Sequence, residues 1–302
     1  MSAARGSSSK PIAKSIDFQI NWSFSMSKSK VILISGTSRG LGAQLRSSLS
    51  ARGHVVYGSS RRANGSDAHE LKLDVEKPDD CESVVRHVLA NEGRLDALIN
   101  NAGSHLVGAA VETSEAELRA QLELNFFGAV NLTQAALRGG MLDARSGRIV
   151  NISSVGGRLA TPFTSAYSAS KFALEGYMEA LRLELLPFSV FVSTLEPGFL
   201  ETGTTETSII AVGERHSLFS DDREATHRRM VEEGAKGLPL DRVVRVVEQI
   251  LDTPTPRLRY SVDGLAPRLG LLRALTPSAW FERTVIKQTA PAFASRLGEP
   301  NP

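Results

Sequence analysis

Two side chains able to exchange a proton, Tyr167 and Lys171, lie four residues apart in the stretch SAYSASKFALEGYMEALRLELL. On a helix this spacing puts both on one face, one above the other. The face continues through an apolar stripe of Leu174, Met178, Leu181 and Leu185. A lysine on a core-facing stripe is costly unless its charge is compensated, and a nearby cation lowers a phenol pKa of about 10 by ~1–3 units. The pair therefore predicts a phenol that exchanges protons near neutral pH.

The same pair has a purely structural interpretation, which the spacing alone leaves open. The tyrosine ring would pack against its neighbours, and the lysine would run along them until its ammonium reached solvent. The pattern Y-x-x-x-K is short, so the choice depends on the rest of the chain.

A glycine-rich turn is the second chemical feature, in the run VILISGTSRGLGAQL. Gly36, Gly40 and Gly42 fall between a predicted strand and a predicted helix. Glycines at this place permit a tight turn and let backbone N–H groups approach a pyrophosphate at the helix N-terminus. The alternative is a turn that needs glycine only for its backbone conformation. The strand–turn–helix context favours dinucleotide binding, although the spacing G-x-x-x-G-x-G differs from the G-x-G-x-x-G fingerprint.

The elements that would position these residues alternate between short apolar runs and helical patterns. The runs are rich in β-branched residues and nearly continuous, as expected for strands buried on both faces. Strands are predicted at Val31–Ser35, Val55–Ser59, Leu71–Asp74, Leu95–Asn100, Arg148–Ser153, Val190–Leu195 and Arg259–Val262. Helices between them include Gly42–Arg52, Pro78–Glu92 and Ser114–Leu137, the last with a Ser114/Glu117 capping box. This predicts an α/β protein: one doubly wound parallel sheet of about seven strands, with helices on both faces.

Three segments stand apart from this regular pattern. Residues 1–29 are rich in serine and nearly free of acids, and we expect a disordered, dispensable extension, with organellar import as the alternative. Residues 30–302 then form the main domain. Within this domain, residues 203–239 are polar and interrupted by glycines, and they are predicted to form a mobile loop over the substrate. Residues 264–302 are predicted to form a C-terminal tail that also covers the substrate.

Composition excludes several classes of function. A formal net charge of +2 is too small to indicate a nucleic-acid partner. No uncharged apolar run approaches the length of a membrane span, so no integral membrane association is expected. The one cysteine, Cys81, cannot form an internal disulfide and fits a reducing cytoplasm. No metal site is predicted.

Taken together, the motifs resemble the short-chain dehydrogenase/reductase family over roughly residues 30–202. The glycine turn has the family's spacing, N-N-A-G follows the fourth predicted strand, and Ser154 precedes Tyr167 by the family's usual thirteen residues. The resemblance implies a catalytic tetrad of Asn125, Ser154, Tyr167 and Lys171. It also implies a cofactor site formed by Gly36, Ser38, Arg39, Gly40, Leu41, Gly42, Arg61, Asp74, Asn101, Ala102, Gly103, Pro197, Gly198 and Thr202.

Some of these residues have structural alternatives when taken singly. Ser153 and Ser154 could each cap the turn after a strand, and Asp74 could cap a turn or a helix. Asn125 falls on a predicted inward stripe with Leu118, where an internally hydrogen-bonded core asparagine is a fair rival. Coincidence is nevertheless a poor explanation for four polar residues from separate segments that all match the tetrad.

The second predicted strand indicates which nicotinamide cofactor is used. NAD-specific sites carry an acid after this strand, ~20 residues past the glycine turn, to bind the ribose hydroxyls. Here the chain reads VVYGSSRRANG, without an acid. A planar guanidinium binds phosphate through two parallel hydrogen bonds. We therefore predict NADP(H), with Arg39 and Arg61 as the main ligands of the 2′-phosphate, while Arg62 could equally be a solvated surface residue.

The resemblance implies reversible hydride transfer between the nicotinamide and a carbonyl or alcohol carbon. Tyr167 would be the general acid or base, Lys171 would tune it and hold the ribose, Ser154 would bind the substrate oxygen, and Asn125 would position a water. Non-catalytic dinucleotide binding, and lyase or epimerase chemistry, are the rival functions. A homodimer or homotetramer through the helices bearing Asn125 and Tyr167 is expected from the family.

The substrate is predicted to be a small lipophilic carbonyl or alcohol, because the sequence around Tyr167 is most similar to family members that act on steroids and retinoids. A ketoreductase acting on a polyketide or acyl intermediate is the alternative. Phe163 and Phe199 are candidate pocket residues. The leucine-rich stretch Leu265–Trp280, which also contains Arg268 and Arg273, is interpreted as a pocket lid, with contact to a membrane surface as the alternative.

Overall fold

The computed structural model describes residues 29–201, 209–211, 213 and 216–294. The first 28 residues of the predicted extension, Thr202, and parts of the predicted substrate loop and tail lie outside these ranges. The strands are β1 Val31–Ser35, β2 Val55–Ser60, β3 Glu70–Lys72, β4 Ala97–Asn100, β5 Leu106–Val107, β6 Gly147–Ile152, β7 Val190–Glu196, β8 Ile209–Ile210 and β9 Arg259–Ser261. The helices are α1 Gly40–Ala51, α2 Pro78–Glu92, α3 Glu115–Leu122, α4 Gly128–Ala136, α5 Ser165–Leu185, α6 Ser220–Ala235, α7 Leu240–Asp252, α8 Leu265–Leu275, α9 Ser278–Thr289 and α10 Pro291–Ala294.

Seven of the strands form one parallel sheet in the order β3-β2-β1-β4-β6-β7-β9. The strand order reverses direction at β1 and β4, which opens a crevice at the carboxyl ends of these two strands. The predicted doubly wound α/β fold is confirmed. All seven predicted strands belong to this sheet, each with ends within two residues of those expected.

The sheet is covered on both faces because side chains alternate along each strand. On β1, Val31 and Leu33 pack into a cluster with α2, α4 and α5, whereas Ile32 and Ile34 pack into a second cluster with α1 and α7. This two-sided burial explains why the strands lack a polar face. Within the described ranges, no helix combines the length and apolar character needed to cross a bilayer.

Two predictions for elements need correction. The predicted helix Ser114–Leu137 is broken by one π-helical turn, Glu123–Phe127, between α3 and α4. Leu118, which was assigned to the inward stripe of this predicted helix, is exposed. The predicted loop 203–239 contains the sixteen-residue helix α6 and the short strand β8, which pairs in parallel with β5.

Candidate active site

A cavity of about 560 Å³ lies at the carboxyl ends of the strands and is lined both by the glycine turn and by Tyr167. Most of the predicted site residues line it: Gly36, Ser38, Arg39, Leu41, Gly42, Arg61, Asp74, Asn101, Ala102, Gly103, Ser154, Tyr167, Lys171, Pro197 and Gly198. Gly40 and Asn125 lie behind the lining, and Thr202 is outside the described residues. The fold thus brings two chemically distinct groups of residues to one cavity.

The glycine turn is a backbone cradle that side chains would fill. Gly36 has φ +75°, and a Cβ there would come within 2.9 Å of the Ala102 Cα. A Cβ at Gly42 would come within 2.2 Å of the Gly36 carbonyl oxygen. Helix α1 begins at Gly40 without a side-chain cap from Arg39. Free N–H groups at a helix N-terminus, approachable through glycine, fit a pyrophosphate.

The N-N-A-G segment after β4 fixes this cradle in place. The Asn101 side chain donates hydrogen bonds to the carbonyl oxygens of Ser35 and Gly36, both at 3.0 Å. The preceding Asn100 donates to the Asn151 side chain at 2.8 Å and so ties β4 to β6. The first asparagine therefore stabilises the sheet, and the second shapes the turn.

The end of β2 is basic. Ser59 and Ser60 are followed by Arg61 and Arg62, and all four line the cavity together with Arg39. Arg62 lines the cavity and is also exposed, as its alternative interpretation as a solvated surface residue expects.

An acid does come near this end of the cavity from β3, but it is already bound. The Glu70 carboxylate accepts a hydrogen bond from the Thr37 hydroxyl at 2.8 Å and pairs with Arg46 at 3.1 Å. Asp74 also lines the cavity and accepts from the Glu76 N–H at 3.3 Å, so it closes a local turn as well.

Tyr167 and Ser154 meet on the other side of the cavity. Ser154 ends the loop after β6, and its hydroxyl accepts a hydrogen bond from the Gly156 N–H at 3.0 Å. It therefore does cap a turn, but it also contacts the catalytic candidate. Burial raises the pKa of the Tyr167 phenol, and a hydrogen bond with the Ser154 side chain opposes that rise.

Lys171 is buried, and its ammonium donates to the Ile152 carbonyl oxygen at 2.9 Å. Burial lowers the pKa of this lysine to about 8, and Glu175 works against that shift. The Lys171 Nζ lies 5.9 Å from the centre of the Tyr167 ring. The expectation of a Tyr167 pKa below its ordinary value is wrong for this structure, because burial of the phenol outweighs the interactions that lower its pKa.

Asn125 lies in the π-helical turn, and its side chain is fully engaged. It accepts from the Ser104 N–H at 2.9 Å, and its amide donates to the Ser104 carbonyl oxygen at 2.9 Å and to the Ser170 hydroxyl at 3.1 Å. It thereby joins the loop after β4 to helix α5 beside Lys171. The core-asparagine interpretation describes its contacts, while its part in catalysis stays a prediction.

His105 is a site residue that the sequence interpretation missed. Its ring lies 4.1 Å from the Tyr167 ring, centre to centre, and it lines the cavity. Burial, with contributions from Lys171 and His227, lowers its pKa to about 4, so the imidazole is neutral at physiological pH. The available signal was its position two residues after N-N-A-G, directly beyond the cofactor cradle.

Helix α6 contributes further residues that had not been predicted. Thr226, Arg229, Met230 and Glu233 line the cavity. Their spacing is that of one helix face. Helix α6 is called the lid helix below.

The two candidate pocket phenylalanines differ in position. Phe199 lines the cavity as expected. Phe163 instead belongs to a buried cluster with Val107, and its ring contacts those of Phe219 and Phe293. It packs the lid helix region and the C-terminal helices against the body of the protein rather than the cavity.

A family model described as short chain dehydrogenase matches residues 30–210. A 3-ketodihydrosphingosine reductase of Bacteroides thetaiotaomicron is 43% identical over 184 residues, which cover 60% of this chain and 68% of that protein. Human retinol dehydrogenase 8 is 40% identical over 182 residues, covering 56% of this chain and 58% of that protein. The crystal structure of a short-chain dehydrogenase from Streptomyces avermitilis superposes with a TM-score of 0.74 at 33% identity, covering 88% of this chain and 99% of the other.

Proposed function

This chain belongs to the short-chain dehydrogenase family, and on that premise we propose that it is an NADP(H)-dependent oxidoreductase of lipophilic carbonyls and alcohols. The observation that carries the proposal is the single cavity that joins the glycine cradle to Ser154, Tyr167 and Lys171. A nicotinamide dinucleotide needs a pyrophosphate cradle at one end and a proton donor at the other. The residues present fit such a cofactor.

The chain's own residues supply the proton chemistry. When bound, the nicotinamide exchanges a hydride with the carbonyl or alcohol carbon. In reduction, Tyr167 donates its phenolic proton to the substrate oxygen, and Ser154 hydrogen-bonds that oxygen as negative charge develops on it. The buried Lys171 ammonium stabilises the phenolate that remains and is close enough to the cofactor site to hold its ribose. Asn125 fixes the loop and helix between which a water would connect Lys171 to solvent.

The phosphorylated cofactor is favoured by the cations at the end of β2. Arg39 and Arg61 are proposed to bind the 2′-phosphate, with Arg62 close by. The Glu70 carboxylate is held by Thr37 and Arg46 and is not among the described residues that line the cavity, so it is not placed to receive a ribose hydroxyl. Thr202 is retained as a candidate ligand of the nicotinamide carboxamide.

A lipophilic substrate is favoured by the apolar lining beyond Tyr167. The apolar residues Leu159, Phe199, Leu200, Met230, Leu265 and Leu269 all line the cavity that contains Tyr167. Apolar walls with a few polar groups are typical of small-molecule sites. The names of the two curated relatives, a 3-ketodihydrosphingosine reductase and a retinol dehydrogenase, supply the first substrates to test.

The deciding experiment follows NADPH oxidation with retinal, a 3-keto sphingoid base, ketosteroids, quinones and β-ketoacyl thioesters. The proposed function requires stoichiometric NADPH consumption with at least one lipophilic carbonyl. Turnover confined to the thioesters would favour the acyl ketoreductase alternative. Cofactor binding without any consumption would favour a lyase, an epimerase or a non-catalytic protein.

Tyr167→Phe tests the catalytic assignment within the same assay. Removing the general acid is expected to lower kcat by about 10²–10⁴-fold and to leave NADPH binding, followed by fluorescence, unchanged. Tyr177→Phe is the matched control, because Tyr177 lies on the same helix but its hydroxyl meets Gln134 away from the cavity. Near-normal turnover by Tyr167→Phe would refute the assignment.

Two further properties belong to the proposal. The protein is expected to be a homodimer or homotetramer through the helical segments that bear Asn125 and Tyr167. Cys81, the one cysteine, is buried, and burial raises its pKa to about 12, which is compatible with a reducing compartment such as the cytoplasm.

A further inference from the structure

Helix α8 is leucine-rich yet barely buried. Its eleven residues, LAPRLGLLRAL, include five leucines, and only Ala266 is fully buried. The exposed fractions of Leu271 and Leu275 are 62% and 74%. Scattered exposed leucines are ordinary, but a helix that is apolar around most of its circumference normally lies against a partner.

The two sides of α8 face different surroundings. Leu265 and Leu269, one helical turn apart, line the cavity that contains Tyr167. Arg268, Leu271 and Leu275 follow the i, i+3, i+7 spacing of another face, which is exposed. One helix therefore connects the substrate cavity with an apolar outer surface.

Helix α9 extends this outer surface. Trp280, near its beginning, is 52% exposed, while the adjacent Phe281 is buried and anchors the helix. We call the set Arg268, Leu271, Leu275 and Trp280 the α8–α9 surface. Leucine, tryptophan and arginine together are the residues that favour the boundary between lipid headgroups and acyl chains.

The charge around this surface is one-sided. Residues 264–290 contain four cations, Arg268, Arg273, Arg283 and Lys287, and one acid, Glu282. A second copy of the chain is a poor partner for it, because a two-fold contact would oppose two surfaces of the same positive sign. An anionic lipid surface complements the charge and the leucines at once.

We propose that the α8–α9 surface docks peripherally on anionic membranes. The leucines and Trp280 would enter the headgroup boundary, and Arg268 would meet lipid phosphates and carboxylates. Leu265 and Leu269 would then face a substrate on its way from the membrane to Tyr167. The docking stands independently of the reaction, whereas its benefit to a lipophilic substrate rests on the proposed function.

The test is co-sedimentation of the full chain with phosphatidylcholine vesicles, with and without phosphatidylserine, in the absence of substrate. Wild-type protein is expected to bind the anionic vesicles preferentially. Because residues 1–28 also carry cations, the variants decide the interpretation. Leu271→Ser with Leu275→Ser should weaken binding about 10-fold or more, since two leucines no longer leave water. Arg268→Gln should weaken it about 5-fold, the effect of one cation near an anionic surface, and reduce its dependence on salt.

Leu218→Ser is the matched control, because Leu218 is equally exposed at 62% but lies outside the α8–α9 surface. It should bind vesicles like the wild type. The thermal unfolding temperature of each variant should match that of the wild type, which shows that the chain still folds. This check and the vesicle assay do not depend on whether the protein oxidises NADPH. The proposal is overturned by equal binding to neutral vesicles, by a Leu271→Ser/Leu275→Ser variant that binds like the wild type, or by a fall in oligomeric mass in that variant, which would assign this surface to a second copy.

Discussion

At the scale of single residues, Lys171 carries the clearest pH dependence. Its buried ammonium has a pKa of about 8, so it is charged at neutral pH and loses its charge above that value. In the proposed mechanism, reduction leaves a phenolate on Tyr167, which the cation would stabilise. We therefore expect kcat/KM for carbonyl reduction, at saturating NADPH, to fall as the pH rises through about 8. The measurement is a pH profile, and a flat profile well into the alkaline range would contradict this role.

Arg39 and Arg61 carry the prediction about cofactor choice. A hydrogen bond to a charged group contributes about 1.5–3 kcal/mol, and the Arg61 side chain is 66% exposed, so Arg61→Ala should lower kcat/KM for NADPH by about 10-fold, at the low end of that range. The value for NADH, which lacks the phosphate, should barely change. Arg39→Ala is also expected to lower kcat/KM for NADPH. Arg62→Ala is the comparison, because it removes a cation that lies near the site but is not a main ligand of the phosphate. Equal losses with both cofactors would show that Arg61 supports the fold of the site rather than the phosphate.

The sequence predicted which residues meet but not how their protons behave. Helical spacing was enough to put Tyr167 and Lys171 on one face. The direction of the Tyr167 pKa could not be foreseen, because it depends on how completely the surrounding elements bury the phenol. His105 was missed for a related reason: a lone histidine after a motif gains meaning only when a distant helix brings a tyrosine ring 4.1 Å away.

At the scale of elements, a buried ion pair holds the lid helix. The Arg223 guanidinium of α6 donates to both oxygens of the Glu112 carboxylate at 2.6 Å, and both side chains are buried. Burial by itself raises the pKa of Glu112, but the bonds from Arg223 and from the His216 N–H outweigh it and leave that pKa lowered. The pair is therefore charged at neutral pH and is lost only as the pH falls below the ordinary carboxyl range.

Glu112→Gln should release this helix. The variant leaves the Arg223 charge buried without its counter-ion, which costs about 3–5 kcal/mol of folding free energy. The cost cannot exceed the free energy of detaching the helix, because detachment returns Arg223 to water. Because α6 lines the substrate end of the cavity, KM for the carbonyl should rise while NADPH affinity is kept. Hydrogen exchange should increase in α6.

Glu115→Gln is the control for this variant, because the pair of Glu115 with Arg119 is exposed on α3 and should be worth less than about 1 kcal/mol. An unchanged KM together with unchanged exchange in α6 would show that the pair does not hold the lid helix.

The lid helix was not predicted because its buried residues give no apolar period. They are Asp222, Arg223, Thr226 and Gly234, whose burial depends on partners far along the chain. Strands β5 and β8 have two residues each, too few for any pattern to form. By contrast, the seven sheet strands were recognisable, since two covered faces force nearly continuous apolar runs.

At the scale of the whole molecule, the helices that carry the catalytic candidates present an outer face without a partner inside the described chain. On α5, Phe172 and Leu183 are exposed, and a Cβ added at Gly176 between them would meet nothing within 4 Å. Phe127, at the end of the π-helical turn, is exposed as well. An apolar helix face with a glycine at its centre allows another helix to approach closely. Since Tyr167 and Lys171 lie on the opposite side of α5, a dimer formed here would hold the helix that carries them.

Phe172→Glu is therefore expected to lower the molar mass measured by light scattering from that of an oligomer to that of the single chain. Its buried neighbour Lys171 already bonds inward to Ile152, so the substitution should leave the cavity intact. Thermal unfolding should occur at a lower temperature and become independent of protein concentration, because association no longer contributes to stability. Leu271→Ser, on the α8–α9 surface, should leave the mass unchanged. If Leu271→Ser dissociates the protein and Phe172→Glu does not, the oligomer is built through the C-terminal helices, and the exposed face of α5 requires another explanation.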